Sequence, residues 1–423
     1  MKIFQNRSDC ISIMIMKDTE VYEILQAEET RQKSVLRMIP SECIMSDDVL
    51  ACSGSRIAQK YSEGFIGKRY YQGQINTDKI ESLCIERAKQ TFNLPNDWHV
   101  NCQALSGSPA NLAVYTALCK PGDKVIGLGL SSGGHLSHGH KVSITGKLYE
   151  VHQFDVDKET QLINYDKLEQ FAIEVQPKMM IIGTTAYSRI LDWKRISEIA
   201  HKVNSYFVAD IAHVAGLIAG GAYPSPIPFA DVVTMTTHKT LRSARAALIL
   251  CKDKFAKAID KAVFPGLQGG PHMHSIAAVA VSLKEAQSDE FKKYAHQTIR
   301  NANKLANILS EIYGLKIVSG GTDSHLMVVD LTSKNIDGKT AAVALEKAGI
   351  ECNYNTIPYD PKPPANPSGI RLGVQILTTI GMDEYDMVTV ASYINKALDN
   401  YDNDTVLSQI ASEIKSWLSG FYK

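Results

Sequence analysis

The sequence predicts an α/β protein, with a mostly parallel central sheet covered by helices and a smaller α/β unit at the C-terminus. Two observations carry this. Short apolar runs recur from about residue 100 onward, with amphipathic stretches between several of them. Strands buried on both faces read as near-continuous apolar runs, as a covered parallel sheet requires. The length of 423 residues suffices for two or three packed units, and 44% hydrophobic with 21% charged residues is an ordinary globular composition.

Residues 17–37 place Val21, Ile24, Leu25 and Leu36 at helical spacing and predict an N-terminal helix. Strands are expected at 124–130, 178–183, 206–210, 231–236 and 248–251, and helices at 111–118 and 193–203. A Gly/Pro-rich segment at 264–271 precedes helix through about 313, then a strand at 326–331 and a helix at 338–348. This divides the chain into an N-terminal helical arm (1–54), a large domain (55–285) and a small C-terminal domain (286–423), the second boundary falling inside the long helix.

Forty-five basic side chains balance forty-five acidic ones, so no net positive field favours nucleic acid or an anionic membrane surface. No stretch is long enough to span a bilayer. Eight cysteines are scattered without a Cys-x-x-Cys pair and read as reduced thiols. The apolar run at 11–16 is too short for a secretory signal and lacks a cleavage site. A cytoplasmic location is expected.

Three constellations carry chemistry. Ser106-Gly107-Ser108-Pro109 runs into a helix, whose free amides and positive dipole end favour a phosphate. At 208–213 an apolar strand delivers Asp210, with His213 three residues on, at the edge where open α/β sheets bind ligands. The strand at 231–236 ends in Thr237-His238-Lys239-Thr240, and a lysine leaving a buried strand loses its proton more readily than a solvated one. Each alone has an ordinary structural explanation: a helix cap, a capped core histidine, a surface lysine. Their order within one α/β domain supplies the parts that a pyridoxal 5′-phosphate site of the aspartate-aminotransferase fold (fold type I) requires, with Asp210 pairing the pyridine nitrogen and Lys239 attaching the cofactor covalently.

The runs at 60–71 (Lys60-Tyr61-Ser62-Glu63-Gly64-Phe65-Ile66-Gly67-Lys68-Arg69-Tyr70-Tyr71), Gly133-Gly134-His135-Leu136, 210–217, 237–241 and Val263-Phe264-Pro265-Gly266 resemble the serine hydroxymethyltransferase family, in collinear order from about 20 to 400. The resemblance implies that Ser106, Gly107 and Ser108 hold the cofactor phosphate, helped by Tyr61 and by Gly269-Gly270 of a neighbouring subunit. It implies that His135 stacks on the ring, that Asp210 binds its nitrogen, and that Thr185 and His213 lie near the ring oxygen, with His238 beside Lys239. Arg371 would clamp the substrate carboxylate, and Ser41 would touch the substrate. Glu63 would be the acid–base carboxylate, with Tyr70 and Tyr71 as its neighbours. Leu130, Gly134, Leu136, Tyr70 and Asn355 would face folate. The implied assembly is a homodimer or a tetramer with shared sites, acting on small-molecule amino acids and tetrahydrofolate.

The sequence departs from that family at four places. Ser243-Ala244-Arg245-Ala246-Ala247 stands where Gly-Pro-Arg-Gly-Gly is usual, and Val374-Gln375 stands for Thr-Pro. Pro363-Pro364-Ala365 lacks an aromatic residue, and Cys43 replaces asparagine. The expected reaction interconverts serine plus tetrahydrofolate with glycine plus 5,10-methylenetetrahydrofolate. A threonine aldolase, a transaldolase or a methyl-serine transferase of the same family is the alternative, since these departures lie near substrate or folate. A silent scaffold should have lost Lys239, Asp210 or Arg371, and all three are present.

Overall fold

The computed structural model describes residues 17–422, so the apolar run at 11–16 lies outside the described residues. Seven strands form the central sheet: β1 (Trp98–Asn101), β2 (Lys124–Leu128), β3 (Glu150–Phe154), β4 (Met179–Gly183), β5 (Tyr206–Asp210), β6 (Val232–Thr236) and β7 (Ala247–Lys252). Their spatial order is β1-β7-β6-β5-β4-β2-β3. Strands β2 to β6 pair in parallel, while β7 runs antiparallel between β6 and β1. Successive side chains point to opposite faces, so each apolar run feeds two cores. Met180, Ile182, Phe207, Ala209, Val233 and Met235 enter one core, and Met179, Ile181, Val208 and Val232 enter the other.

The chain reverses its direction of travel across the sheet between β2 and β4. Beyond the carboxyl ends of strands at such a switch point lies the crevice that binds ligands in open α/β folds. The loops after β2, β4, β5 and β6 all emerge there, carrying residues 129–138, 184–187, 211–213 and 237–240.

Among the helices, α1 (Thr19–Gln32) starts where the Asp18 side chain accepts from Val21 N–H, and none of its residues is buried. Helix α2 (Gly107–Leu118) follows β1, and α3 (Trp193–Lys202) covers the sheet before β5. The long helix expected through 313 is two helices, α4 (Met273–Glu285) and α5 (Asp289–Glu311). Ser288 makes the break: its hydroxyl accepts from Phe291 N–H, and Asp289 and Glu290 place negative charge in the new first turn.

A second, antiparallel sheet contains β8 (Lys316–Ile317), β9 (Leu326–Asp330), β10 (Asn353–Asn355) and β11 (Gly369–Gly373), in the order β8-β9-β11-β10. Helices α6 (Gly338–Lys347), α7 (Gln375–Thr379), α8 (Asp386–Asp399) and α9 (Asp404–Leu418) accompany it. The core of this unit also takes Leu36 and Met38, because Leu36–Arg37 pairs in parallel with Ile350–Glu351. Along α5 the core changes identity: Ala295 packs with the large sheet and Ala302 with the small one. No helix among the described residues is long and apolar enough to cross a membrane.

Candidate active site

A cavity of about 320 Å³ opens at the switch-point edge, between the two sheets. Strand β5 delivers Asp210, the loop after β6 delivers His238 and Lys239, and the loop after β4 delivers Thr184 and Thr185. The helix start Ser106-Gly107-Ser108, His135, His213, Ser41 and Arg371 complete most of the wall.

At the start of α2 the Ser106 side chain makes no capping hydrogen bond, which leaves the first amides and nearby hydroxyls free toward the cavity. Gly107 is required there. A β-carbon at that position would lie 2.5 Å from Thr236 Cγ2, so only glycine lets the helix start approach the end of β6.

Asp210 is buried, and its carboxylate is nearly saturated. Oδ2 accepts from Asn111 Nδ2 at 2.8 Å and from His138 Nε2 at 2.9 Å, while Oδ1 accepts the Ala212 N–H at 3.0 Å. Burial alone would raise its pKa, yet the donations from His138 and Asn111 hold it below the usual carboxylate range. The His138 tautomer follows from geometry: its Nδ1 accepts the His135 N–H, so Nε2 bears the proton given to Asp210. Asn111 is itself oriented, its carbonyl accepting from Thr234 Oγ1 at 2.7 Å.

The Lys239 side chain is buried and its amine makes no ion pair or hydrogen bond among the described residues, although the backbone carbonyl accepts from Arg242 N–H at 3.0 Å. Burial pushes its amine down to about 8, with Arg371 and Arg245 adding repulsion against the attraction of Asp210. Arg371 is buried too, pushed down to about 10 by desolvation. Its Nε donates to Asn353 Oδ1 at 2.9 Å and its Nη1 to the Thr185 carbonyl at 2.6 Å. No carboxylate among the described residues pairs with it, so a buried guanidinium faces the cavity without a counter-charge. Such a group costs several kcal/mol unless an anion joins it.

Burial holds three histidines of the cavity, His135, His213 and His238, toward the neutral form. Burial, then the neighbouring His138, lowers His135 to about 4, and its Nδ1 accepts the Ser137 N–H at 3.1 Å, fixing the ring as an uncharged face. Burial lowers His238 to about 4, and its Nδ1 has no partner. His213 is held well below the usual range by burial, with its Nδ1 3.3 Å from Nε2 of His325.

These parts fit pyridoxal 5′-phosphate: a free helix start for phosphate, a carboxylate with capacity left on Oδ1 for a ring N–H, a flat neutral imidazole and a lysine whose amine deprotonates early.

Other expected residues lie elsewhere. Glu63, Tyr61 and Tyr71 form a surface cluster in which Tyr71 Oη donates to Glu63 Oε2 at 3.2 Å and Tyr61 Oη to Oε1 at 3.4 Å. Beside Tyr71 the Glu63 charge raises the phenol above its usual range. A β-carbon on Gly269 or Gly270 would come within 3.1–3.8 Å of Glu63 and Tyr61, so this glycine pair packs on the same cluster. Tyr70 is 71% exposed and meets Phe264 edge-on at 5.9 Å. None of these residues lines the Lys239 cavity.

Leu130 opens a short turn after β2 that closes on Gly133 at φ +97°, and a β-carbon on Gly134 would overlap the Leu128 carbonyl. Leu136 is exposed, and the Asn355 amide donates to Thr356 O at 2.6 Å, leaving its carbonyl oxygen free. The sequence reading missed Asn111, His138, Asn353 and His325. Asn111 sits one turn into α2 and His138 three residues after His135, and that proximity was the only available signal.

The altered loop after Lys239 has ordinary backbone angles at Ser243, Ala244, Ala246 and Ala247; the left-handed residue is Arg242, at φ +61°. Arg242 lies over Tyr294, 4.9 Å from the ring centroid. Gln375 donates to the carbonyls of Ile39 and Glu42.

A family model described as serine hydroxymethyltransferase matches residues 14–394. Proteins named serine hydroxymethyltransferase from Desulfotalea psychrophila and Acidobacterium capsulatum are each 48% identical over 415 residues, covering 98% of this chain and 96% of theirs.

Proposed function

Since the chain belongs to the serine hydroxymethyltransferase family, we infer that it interconverts serine plus tetrahydrofolate with glycine plus 5,10-methylenetetrahydrofolate, using pyridoxal 5′-phosphate. The observation that carries the reading is the pairing, in one cavity, of a lysine with a lowered pKa and a buried arginine lacking a counter-anion. An α-amino acid presents the two groups these residues call for.

The cofactor, when bound, supplies an electron-withdrawing ring that stabilises negative charge at the α-carbon of an amino acid. Lys239 would hold it covalently, Ser106, Gly107 and Ser108 would hold its phosphate, and His135 would offer a flat neutral face to it. Asp210 holds a proton on the ring nitrogen, while His138 and Asn111 keep that carboxylate ionised. Thr185, His213 and His238 line the same cavity and would help hold the ring. Arg371 binds the amino-acid carboxylate through the N–H groups not given to Asn353 and Thr185, and Ser41 contacts the same substrate. Leu130, Gly134, Leu136, Tyr70 and Asn355 receive the folate.

Glu63 serves as the proton donor and acceptor for the hydroxymethyl oxygen, oriented by Tyr71. Because Glu63, Tyr61, Tyr70, Tyr71 and Gly270 sit outside the cavity of their own chain, a second copy supplies them to it. The homodimer is then the smallest complete enzyme. The exposed Val21, Ile24 and Leu25 on α1, a helix with no buried residue, support this reading because such a face needs cover. The buried unpaired thiols Cys84, Cys102, Cys119 and Cys251 suit a reducing cytoplasm.

Assaying the cofactor-loaded protein with serine and tetrahydrofolate tests the assignment. Equimolar glycine and 5,10-methylenetetrahydrofolate are expected. Glycine release that ignores folate, with turnover of threonine, would overturn it.

A further inference from the structure

We propose that Gln375 is the positioning residue for Ser41 and thereby a determinant of amino-acid affinity, an inference that rests on Ser41 as a substrate contact. Ser41 reaches the cavity from a four-residue turn, Ile39 to Glu42, closed by Glu42 N–H donating to Ile39 O at 3.1 Å. A carboxamide nitrogen has two N–H donors. In Gln375 the two go to the carbonyls at the ends of this turn, Ile39 O at 2.8 Å and Glu42 O at 2.9 Å. One buried side chain therefore spans the turn and fixes its opening.

Gln375 begins α7, four residues after Arg371, whose guanidinium lines the same cavity. This connection and the Gly373 N–H, which donates to Met38 O at 2.8 Å, tie the serine arm to the strand that carries Arg371. The close approach depends on Gly373, because a β-carbon there would lie 2.7 Å from Pro40 Cα and 2.6 Å from Gln375 Oε1. That Oε1 is buried without a hydrogen-bond partner. Leaving a buried acceptor unpaired is unfavourable, and here it accompanies full use of the two donors on the turn. His325, the residue just before β9, braces the same turn with its Nε2 3.3 Å from Pro40 O.

The test uses cofactor-loaded enzyme carrying Gln375→Met, Ser41→Ala or both, with retained cofactor absorbance as the check on folding. Loss of two hydrogen bonds predicts that Gln375→Met raises the KM for serine and weakens glycine binding by roughly tenfold. The kcat should stay within about twofold, the split expected of ground-state positioning. Adding Ser41→Ala should produce little further change, since both act through one contact.

Gln375→Glu keeps the shape but sets an acceptor against two carbonyls. Its raised KM should fall toward the wild-type value at acid pH, where the protonated carboxyl regains a donor. An unchanged KM in Gln375→Met beside a raised KM in Ser41→Ala, or strictly additive effects, overturns the inference alone. An unchanged KM in Ser41→Ala overturns the substrate role of Ser41 and this inference with it.

Discussion

Lys239 differs from a solvated lysine by burial and by two nearby cations, and its amine deprotonates near 8. Covalent capture of pyridoxal 5′-phosphate needs the neutral amine, so the capture rate of the apoprotein should rise with pH about a midpoint near 8. Stopped-flow absorbance across that range checks it, and a midpoint above 10 would refute the burial argument. The Asp210 carboxylate makes a second case. His138→Leu removes its strongest donor and leaves an under-paired buried charge, so cofactor affinity should drop by about 2 kcal/mol, near thirtyfold, as read by equilibrium titration. Residues of this kind divide by how far their signals travel along the chain. Asp210 and Lys239 were legible as cavity residues because Asp210 ends an apolar strand and Lys239 follows another by three residues. Asn111 and His138 were not, since their bonds to Asp210 span 99 and 72 residues and no local pattern records such a contact.

Among the elements, the six expected strands were the most readable: β5 has the expected limits and the other five shift by one or two residues at an end, while β1 and β3, at the two edges of the large sheet, were not anticipated. The expected continuous helix failed at Ser288, where a serine followed by two acids starts a new helix inside an otherwise helical pattern. The loop after Lys239 shows the opposite lesson. Two alanines stand in place of the family's glycines, yet their φ angles are ordinary and Ala247 is the fully buried first residue of β7. Ala247→Gly should therefore destabilise the protein by about 1 kcal/mol, measured as a lower urea midpoint, with kcat unchanged. A gain in activity would mean that the loop is strained. At the other strand end, Gly107→Ala should push α2 away from Thr236 and weaken cofactor binding by at least about tenfold, visible in the same equilibrium titration.

At the scale of the whole molecule, the residues proposed for the site fall into two groups, a cavity that holds Lys239, Asp210 and Arg371 and a surface cluster that holds Glu63, Tyr61 and Tyr71. If two copies complete each other, mixing inactive Lys239→Ala with inactive Glu63→Gln and allowing exchange should restore roughly a quarter of wild-type activity, because half the dimers are mixed and each then has one intact site. Mixtures that stay inactive would place both parts of the site in one chain. The sequence motif around 60–71 was readable, but its place relative to Lys239 was not, because that depends on how surfaces meet after folding.

Helix α5 belongs to two cores, anchored by Ala295 in the one beneath Lys239 and by Ala302 in the one behind Arg371. An amino acid held at its carboxylate by Arg371 and at its nitrogen end near Lys239 is thus a tie-rod across a beam, and the beam's bending stiffness enters the affinity of every ligand that spans the gap. Glycine binding should slow amide hydrogen exchange at the middle of α5, around Thr298, although no residue of that helix lines the cavity.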